Sequence, residues 1–99
     1  MPLFLINARD KANSSELRLA TRQAHLEFAK DASDRIAMAG PVLSEDGETM
    51  CGSTFVIEFD RLDDAKAWAA DDPYAKAGLF EHTEIIPFIW LIGSGPRND

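Results

Sequence analysis

Residues 71–80 read Asp-Asp-Pro-Tyr-Ala-Lys-Ala-Gly-Leu-Phe and join a short amphipathic helix to the last strand of the chain. Asp72 stands directly before Pro73, and a proline ring pushes the preceding residue toward an extended backbone. Asp72 therefore ends the helix, and we expect its carboxylate to point away from that helix. Gly78 is suited to the left-handed conformation that ends a helical turn. The stretch predicts a junction between helix and strand with a carboxylate at its corner.

Strand and helix patterns alternate on both sides of this junction. In order, we predict a strand at 3–8, a polar loop at 9–14, a helix from 14 to about 32, strands at 35–43 and 49–59, a helix from 60 to the Asp72 turn, and a strand at 83–92. Gly40-Pro41 indicates an edge strand or a bulge. Asp46-Gly47 predicts a hairpin, and Gly52 indicates a bulge or a close approach of two backbones.

The first helix has a predicted core-facing side. Small and apolar residues recur there at spacings of three and four. They are Leu17, Ala20, Ala24 and Phe28. Asn13 or Ser14 is expected to cap this helix, with Glu16 completing a capping box. Arg22 and His25 share a face at the border of the apolar side.

The order β-α-β-β-α-β predicts an α+β fold of the ferredoxin-like type, a four-stranded antiparallel sheet with two helices on one face. The chain has 99 residues, and we assign 1–93 to one domain and 94–99 to a flexible tail. Several strands are apolar on both faces, and residues 3–8 read as a central strand with both faces covered. Because the second sheet face also needs cover, we expect a homodimer.

Composition narrows the classes of partner. The formal net charge is −7, from 10 basic and 17 acidic residues, which disfavours nucleic acid and membrane surfaces. The single cysteine, Cys51, excludes an internal disulfide and favours the cytoplasm, as does a first segment without the features of a signal peptide. His25 and His82 are far apart and no metal-binding or dinucleotide motif is present, so we expect neither a metal nor another cofactor.

His25 and Asp72 are the candidate acid–base pair. A carboxylate holds a neighbouring imidazole in one tautomer, and such an imidazole can take a proton and return it elsewhere. From the residues alone, a structural hydrogen bond between helix and turn is the favoured interpretation. Ser53 could donate to a ligand or complete a triad with this pair. No G-x-S-x-G motif is present, so an ordinary strand serine is favoured.

Other side chains have weaker signals. Arg22 could bind an anionic substrate group, although a surface salt bridge with a neighbouring carboxylate is favoured. Tyr74 could line a pocket or pack the turn. Trp68 and Trp90 are assigned to the core or to a dimer interface, and Cys51 to a small buried apolar position.

From Leu3 to about Leu91 the chain resembles the YciI-like, or YCII-related, domain family. The resemblance rests on Arg22-Gln23-Ala24-His25-Leu26, Ala39-Gly40-Pro41, Gly52-Ser53 and the stretch from Asp72 to Phe80. It implies a dimeric α+β barrel in which a histidine and an aspartate face each other between helix and sheet. Those residues, proposed in the family as a catalytic pair, are here His25 and Asp72. Members with assigned chemistry include a dehydrochlorinase that acts on a chlorinated hydroquinone.

Residues and resemblance together predict a cofactor-independent enzyme of the lyase or isomerase type. His25 and Asp72 would carry the acid–base chemistry, and Arg22, Ser53 and Tyr74 would contact a small, aromatic or cyclic molecule. The alternative is a non-catalytic dimeric module that binds a ligand or assists another protein, with the pair as a structural clasp. A third hypothesis is an oligomerising partner domain for a separately encoded enzyme.

Overall fold

The computed structural model describes residues 2–94. Its elements are β1 (Leu3–Asp10), α1 (Ser15–Asp31), β2 (Ile36–Leu43), β3 (Met50–Glu58), α2 (Leu62–Ala70), α3 (Pro73–Lys76) and β4 (Phe80–Phe88). Most of the tail that we predict at 94–99 lies outside the described residues, which end at Ser94.

The sheet has four strands in the order β2-β3-β1-β4, and every neighbouring pair is antiparallel. The helices pack on one face of this sheet, which confirms the predicted ferredoxin-like α+β fold. Apolar side chains that alternate along β1 and β3 meet small residues of the helices. The buried members of this core are Phe4, Ile6, Ala32, Phe55, Ile57, Phe59 and Ala65. Trp68 packs against Phe55 and Phe28, so its assignment to the core is confirmed.

Four local predictions about turns and backbone are confirmed. β2 is an edge strand, which suits a proline that cannot donate to the sheet. Gly47 has a φ of 76° in the turn between β2 and β3, and Gly78 has a φ of 78° after α3. At Gly52 a Cβ atom would lie 2.5 Å from the carbonyl oxygen of Ala8, so β1 and β3 approach closely only because this residue has no side chain.

The ends of two strands differ from the prediction. β1 continues through Arg9 and Asp10, where a loop was expected, because Arg9 pairs with β3 and β4 and Asp10 pairs with Phe80. β4 starts at Phe80 and ends at Phe88, whereas we predicted 83–92. Phe88 already pairs with Leu3, the first residue of β1, so the residues beyond it have no strand to pair with.

The predicted core-facing side of α1 is wrong. Leu17, Ala20 and Ala24 are exposed and Phe28 is half-buried, while the buried residues of the helix are Arg18 and His25. The helix is rotated because the polar groups of these two residues have partners on the strands and on the turn before α3. The predicted capping box is also absent, since Ser14 occupies the N-cap without a side-chain bond to the helix.

The sheet face away from the helices is only partly covered. Along β1, the residues that face the helices are buried, whereas Leu3 and Leu5 on the other face are half-buried. β1 lies between β3 and β4, so its predicted central position is confirmed, and the cover that we expect for its second face stays a prediction. Apolar side chains exposed on this open face are Met38, Ile86 and Phe88.

Cys51 and Trp90 are half-buried. None of the helices in residues 2–94 has the length and hydropathy to cross a membrane; the cytoplasmic location stays a prediction.

Candidate active site

Asp72 forms the corner that residues 71–80 predict. It is the N-cap of α3, with Pro73 in the first helical turn, and its Oδ1 accepts the backbone N–H of Tyr74 at 2.9 Å. An N-cap carboxylate satisfies one of the unpaired N–H groups of a helix start. Its side chain is almost fully buried. The backbone at Asp72–Pro73 therefore fixes a carboxylate inside the protein, pointing toward α1.

His25 meets this carboxylate from the middle of α1. Its Nδ1 lies 2.9 Å from Oδ1 and 3.1 Å from Oδ2 of Asp72. A carboxylate only accepts hydrogen bonds, so Nδ1 is the protonated ring nitrogen. Nε2 is then the nitrogen with a lone pair, and it has no hydrogen-bond partner among residues 2–94. The structure thus forms the predicted pair in the arrangement that leaves a base available.

Tyr74 packs directly against the imidazole. The two rings stack with centroids 4.0 Å apart and an angle of 19° between their planes. Arg18 also contacts the tyrosine, with its Cζ 4.5 Å from the ring centroid. Burial raises the pKa of the Tyr74 hydroxyl, and the charges of Arg18 and Arg22 oppose that rise. Tyr74 therefore both packs the turn and forms one wall of the site.

A buried ion pair completes the site and was missed by the sequence reasoning. Arg18 donates to both carboxylate oxygens of Asp10, from Nε at 2.7 Å and from Nη2 at 2.9 Å. Nη2 also donates to Ser53 Oγ at 3.1 Å. Burial lowers the pKa of the guanidinium, but the bonds and charge of Asp10 outweigh it, and the net shift is upward. The sequence does contain one signal for Arg18, its spacing from His25. The two residues are seven positions apart and therefore share a helix face.

A cavity of about 220 Å³ opens in front of His25, between α1 and the β2–β3 side of the sheet. It brings together four of the five predicted site residues, and Asp72 contacts His25 without lining it. The lining side chains are Arg18, Arg22, His25, Leu26, Ala29, Ala39, Pro41, Met50, Ser53, Phe55 and Tyr74, with Gly40.

One side-chain assignment changes, and one disfavoured alternative is not formed. Arg22 is exposed at the cavity, and no carboxylate among residues 2–94 pairs with it, so the favoured surface salt bridge is wrong. Ser53 is buried and accepts from Arg18, and no hydrogen bond joins it to His25 in the described part of the chain. The Ser53–His25–Asp72 triad is thus not formed. Residues 2–94 contain no group of three or more histidine, cysteine or acidic side chains that could hold a metal ion.

Comparison with known proteins finds the family that the sequence resembles. The family model described as the YCII-related domain matches residues 2–89. Protein YciI from Escherichia coli O6:H1 is 42% identical over 93 residues, which cover 87% of this chain and 95% of the relative. An uncharacterized protein from Haemophilus influenzae is 39% identical over 92 residues, 86% of this chain and 94% of that protein.

Among solved structures, a similar one is the 5-chloro-2-hydroxyhydroquinone dehydrochlorinase from Burkholderia phenoliruptrix AC1100 in complex with 2,5-dihydroxybenzoquinone. It is 32% identical with a TM-score of 0.80, and the match covers 92% of this chain and 95% of that one.

Proposed function

The chain belongs to the YCII-related domain family, and from that premise we propose that it is a small-molecule enzyme of the lyase or isomerase type. His25 is its general base and acid, and Asp72 orients His25. Arg22, Ser53 and Tyr74 contact the substrate. The reaction uses protein side chains only.

One observation carries this proposal. Nδ1 of His25 is bonded to a buried carboxylate, and the same imidazole lines a cavity. The ring is therefore held in the tautomer whose Nε2 can accept a proton from a molecule in the cavity. Asp72 then stabilises the imidazolium that forms, as a buried carboxylate does for a catalytic histidine.

The chemistry of this arrangement is proton transfer. Nε2 takes a proton from an O–H or C–H group of the substrate, and the electron pair left behind forms a new double bond. In an elimination a leaving group departs with its bonding electrons, so that the substrate loses one proton and one anion. In an isomerisation the imidazolium returns its proton at another atom. A positioned acid–base group contributes about 10²–10⁴-fold to such steps.

The dehydrochlorinase relative supports the elimination branch, since the name of that enzyme specifies loss of hydrogen chloride from a substituted ring. The match between the two structures covers 92% of this chain, with a TM-score of 0.80. The cavity in front of His25 has the apolar walls that a ring needs, formed by Phe55, Met50 and their neighbours.

The direct test is chloride release from 5-chloro-2-hydroxyhydroquinone. We expect turnover by the full chain and a loss of about 100-fold or more in His25→Gln. Asp72→Asn should lose activity too, because its amide no longer fixes the tautomer. His82→Gln is the matched control, since His82 is exposed on β4 and lies outside the cavity. A His25→Gln rate equal to that of the wild type would refute the proposal.

A second candidate is a non-catalytic dimeric module with the pair as a structural clasp. The contacts that favour it are those that join α1 to α3: the His25–Asp72 bond, the stacking on Tyr74 and the N-cap bond. In this case the wild type would release no chloride, and His25→Gln would lower the melting temperature without any other loss.

We also propose that two copies pair through the open sheet face. Met38, Ile86 and Phe88 are about 40% exposed there, and a monomer would leave this apolar surface in water. Sedimentation equilibrium should give twice the chain mass. Ile86→Glu should shift the protein toward monomer, whereas Leu19→Glu, an equal change on the exposed side of α1, should not. A wild-type monomer at micromolar concentration would refute the pairing.

A further inference from the structure

The charged side chains that line the cavity are both arginines. The chain carries 17 acidic side chains and a net charge of −7, yet none of the residues that line the cavity is an aspartate or a glutamate. The titratable groups that do line it are two arginines, a histidine and a tyrosine. Two buried carboxylates lie directly behind this lining, Asp10 against Arg18 and Asp72 against His25. The field in the cavity therefore depends on which arginine keeps an unpaired charge, and low-dielectric walls strengthen the field of such a charge.

Only one of the two arginines has its charge available. Arg18 is neutralised by its two bonds to buried Asp10. Arg22 lies one helical turn later, at the mouth of the cavity, and has no carboxylate partner within residues 2–94. It also lines the neighbouring groove between α1 and the β2–β3 hairpin, which Glu48 lines as well without forming an ion pair with Arg22.

A hydrogen-bond donor lies deeper in the same cavity. Ser53 Oγ accepts from Arg18 Nη2, so the hydroxyl uses one lone pair on the protein and keeps its hydrogen. No acceptor for that hydrogen exists among the described residues. The hydroxyl can therefore donate to an oxygen of a bound molecule, while Arg22 contacts a charged group nearer the mouth.

The size and lining of the cavity limit what can bind. Its volume of about 220 Å³ is below the roughly 300–1,000 Å³ typical of pockets for drug-sized ligands. Phe55, Leu26 and Met50 provide apolar walls, and the Tyr74 ring lies beside the imidazole. These features suit one planar ring with oxygen substituents and exclude a nucleotide.

We propose that the cavity selects single-ring anions, that is, one six-membered ring bearing a carboxylate or an ionised hydroxyl group, and that Arg22 recognises the negative charge. The inference rests on the proposed function for the identity of the site, but it concerns binding and holds whether or not turnover occurs.

The test compares two compounds that differ in one charge. 2,5-Dihydroxybenzoate and 2,5-dihydroxybenzamide are titrated at pH 7.5 into the full chain by calorimetry. We expect the benzoate to bind about tenfold to a hundredfold tighter, the range that a hydrogen bond to a charged group supplies. Arg22→Gln should remove the preference for the benzoate and leave the affinity for the benzamide within about twofold of the wild-type value. Arg22→Lys should keep part of the preference.

Lys66→Gln is the matched control, because it removes one exposed positive charge on α2, away from the cavity. It should leave both affinities unchanged. Equal affinities for the two compounds in the wild type, no binding of either at millimolar concentration, or an equal loss in Lys66→Gln would overturn the inference. The chloride-release assay separates this from the proposed function: charge selection without turnover refutes the reaction alone, and turnover without charge selection refutes the anion site alone.

Discussion

The Arg18–Asp10 pair allows a prediction about stability with a magnitude that the structure sets. Both side chains are only 5% exposed, and two bonds of 2.7 and 2.9 Å join them. Asp10→Asn keeps the shape of the side chain and removes its charge. Arg18 would then be a buried cation without a counter-charge, because its remaining contacts are the neutral Ser53 hydroxyl and the Tyr74 ring.

Removing one partner of a buried ion pair destabilises proteins by about 3–5 kcal/mol. Asparagine still offers one oxygen to the guanidinium, so we expect the lower end, about 3 kcal/mol. For a domain of this length, whose total free energy of unfolding is about 5–15 kcal/mol, this is a large fraction. It corresponds to a fall of about 12–24 °C in the melting temperature.

The assay is urea unfolding followed by circular dichroism, at one protein concentration because a dimer would make stability concentration-dependent. Asp63→Asn is the internal control. Asp63 pairs with Arg61 at 3.2 Å, but both side chains are more than 70% exposed, and such a pair contributes about 0–1 kcal/mol. The double variant of Asp10→Asn with Arg18→Met should lose less free energy of unfolding than the two single variants lose together. In the double variant no buried charge is left without a partner.

The result that refutes this reasoning is a free-energy loss in Asp10→Asn no larger than that in Asp63→Asn. Additive losses in the double variant would also count against it, because they would mean that the two side chains do not stabilise each other.

Three further predictions concern single residues. Tyr74 is the only tyrosine, so the absorbance change near 295 nm reports its ionisation alone. We expect the pKa of its hydroxyl to lie above the usual value of about 10. Because the folded-state pKa is raised, the stability that this group contributes is present below pH 10 and is lost as the pH rises further. Gly52→Ala should lower the free energy of unfolding by about 1–3 kcal/mol, because the added Cβ meets a carbonyl oxygen of β1, whereas Gly40→Ala has open space and should change it little. Nitrogen-15 spectra should show His25 protonated at Nδ1 in the wild type and a mixture of tautomers in Asp72→Asn.

Each of these three predictions has a result that would contradict it. A tyrosine titration centred below that of the free amino acid would contradict the burial of Tyr74. Equal losses in the two glycine variants would contradict the close approach of β1 and β3. A wild-type His25 protonated mainly at Nε2 would contradict the orientation of the ring on which the proposed function depends.

The features that could be predicted from the sequence are those fixed by neighbours in the chain. Asp72 caps α3 because Pro73 follows it and the N–H of Tyr74 is two residues away, so the turn is determined within a few positions. Gly47 and Gly78 mark left-handed positions for the same local reason. The order of the elements then leads to the fold, because few topologies accommodate it.

The face that α1 buries could not be predicted in this way. Apolar periodicity points to Leu17, Ala20 and Ala24, but the helix is oriented by Arg18 and His25. Their partners Asp10, Ser53 and Asp72 lie 8, 35 and 47 residues away. Polar pairs at such separations leave no pattern in a short window. The His25–Asp72 pair was proposed from the residues as a structural hydrogen bond, and only the family resemblance pointed to a catalytic role. Arg18 was not identified at all.

The orientation of α1 itself supports a binding role for the cavity. The helix leaves Leu19 72% exposed and Leu26 43% exposed, while it buries an arginine and a histidine. A helix selected only for stability would do the opposite, because burying a leucine contributes about 1.5–3 kcal/mol and burying a charge requires compensation. Proteins depart from such local rules chiefly at functional sites. Here the departure coincides with the cavity, since both buried polar side chains of α1 line it.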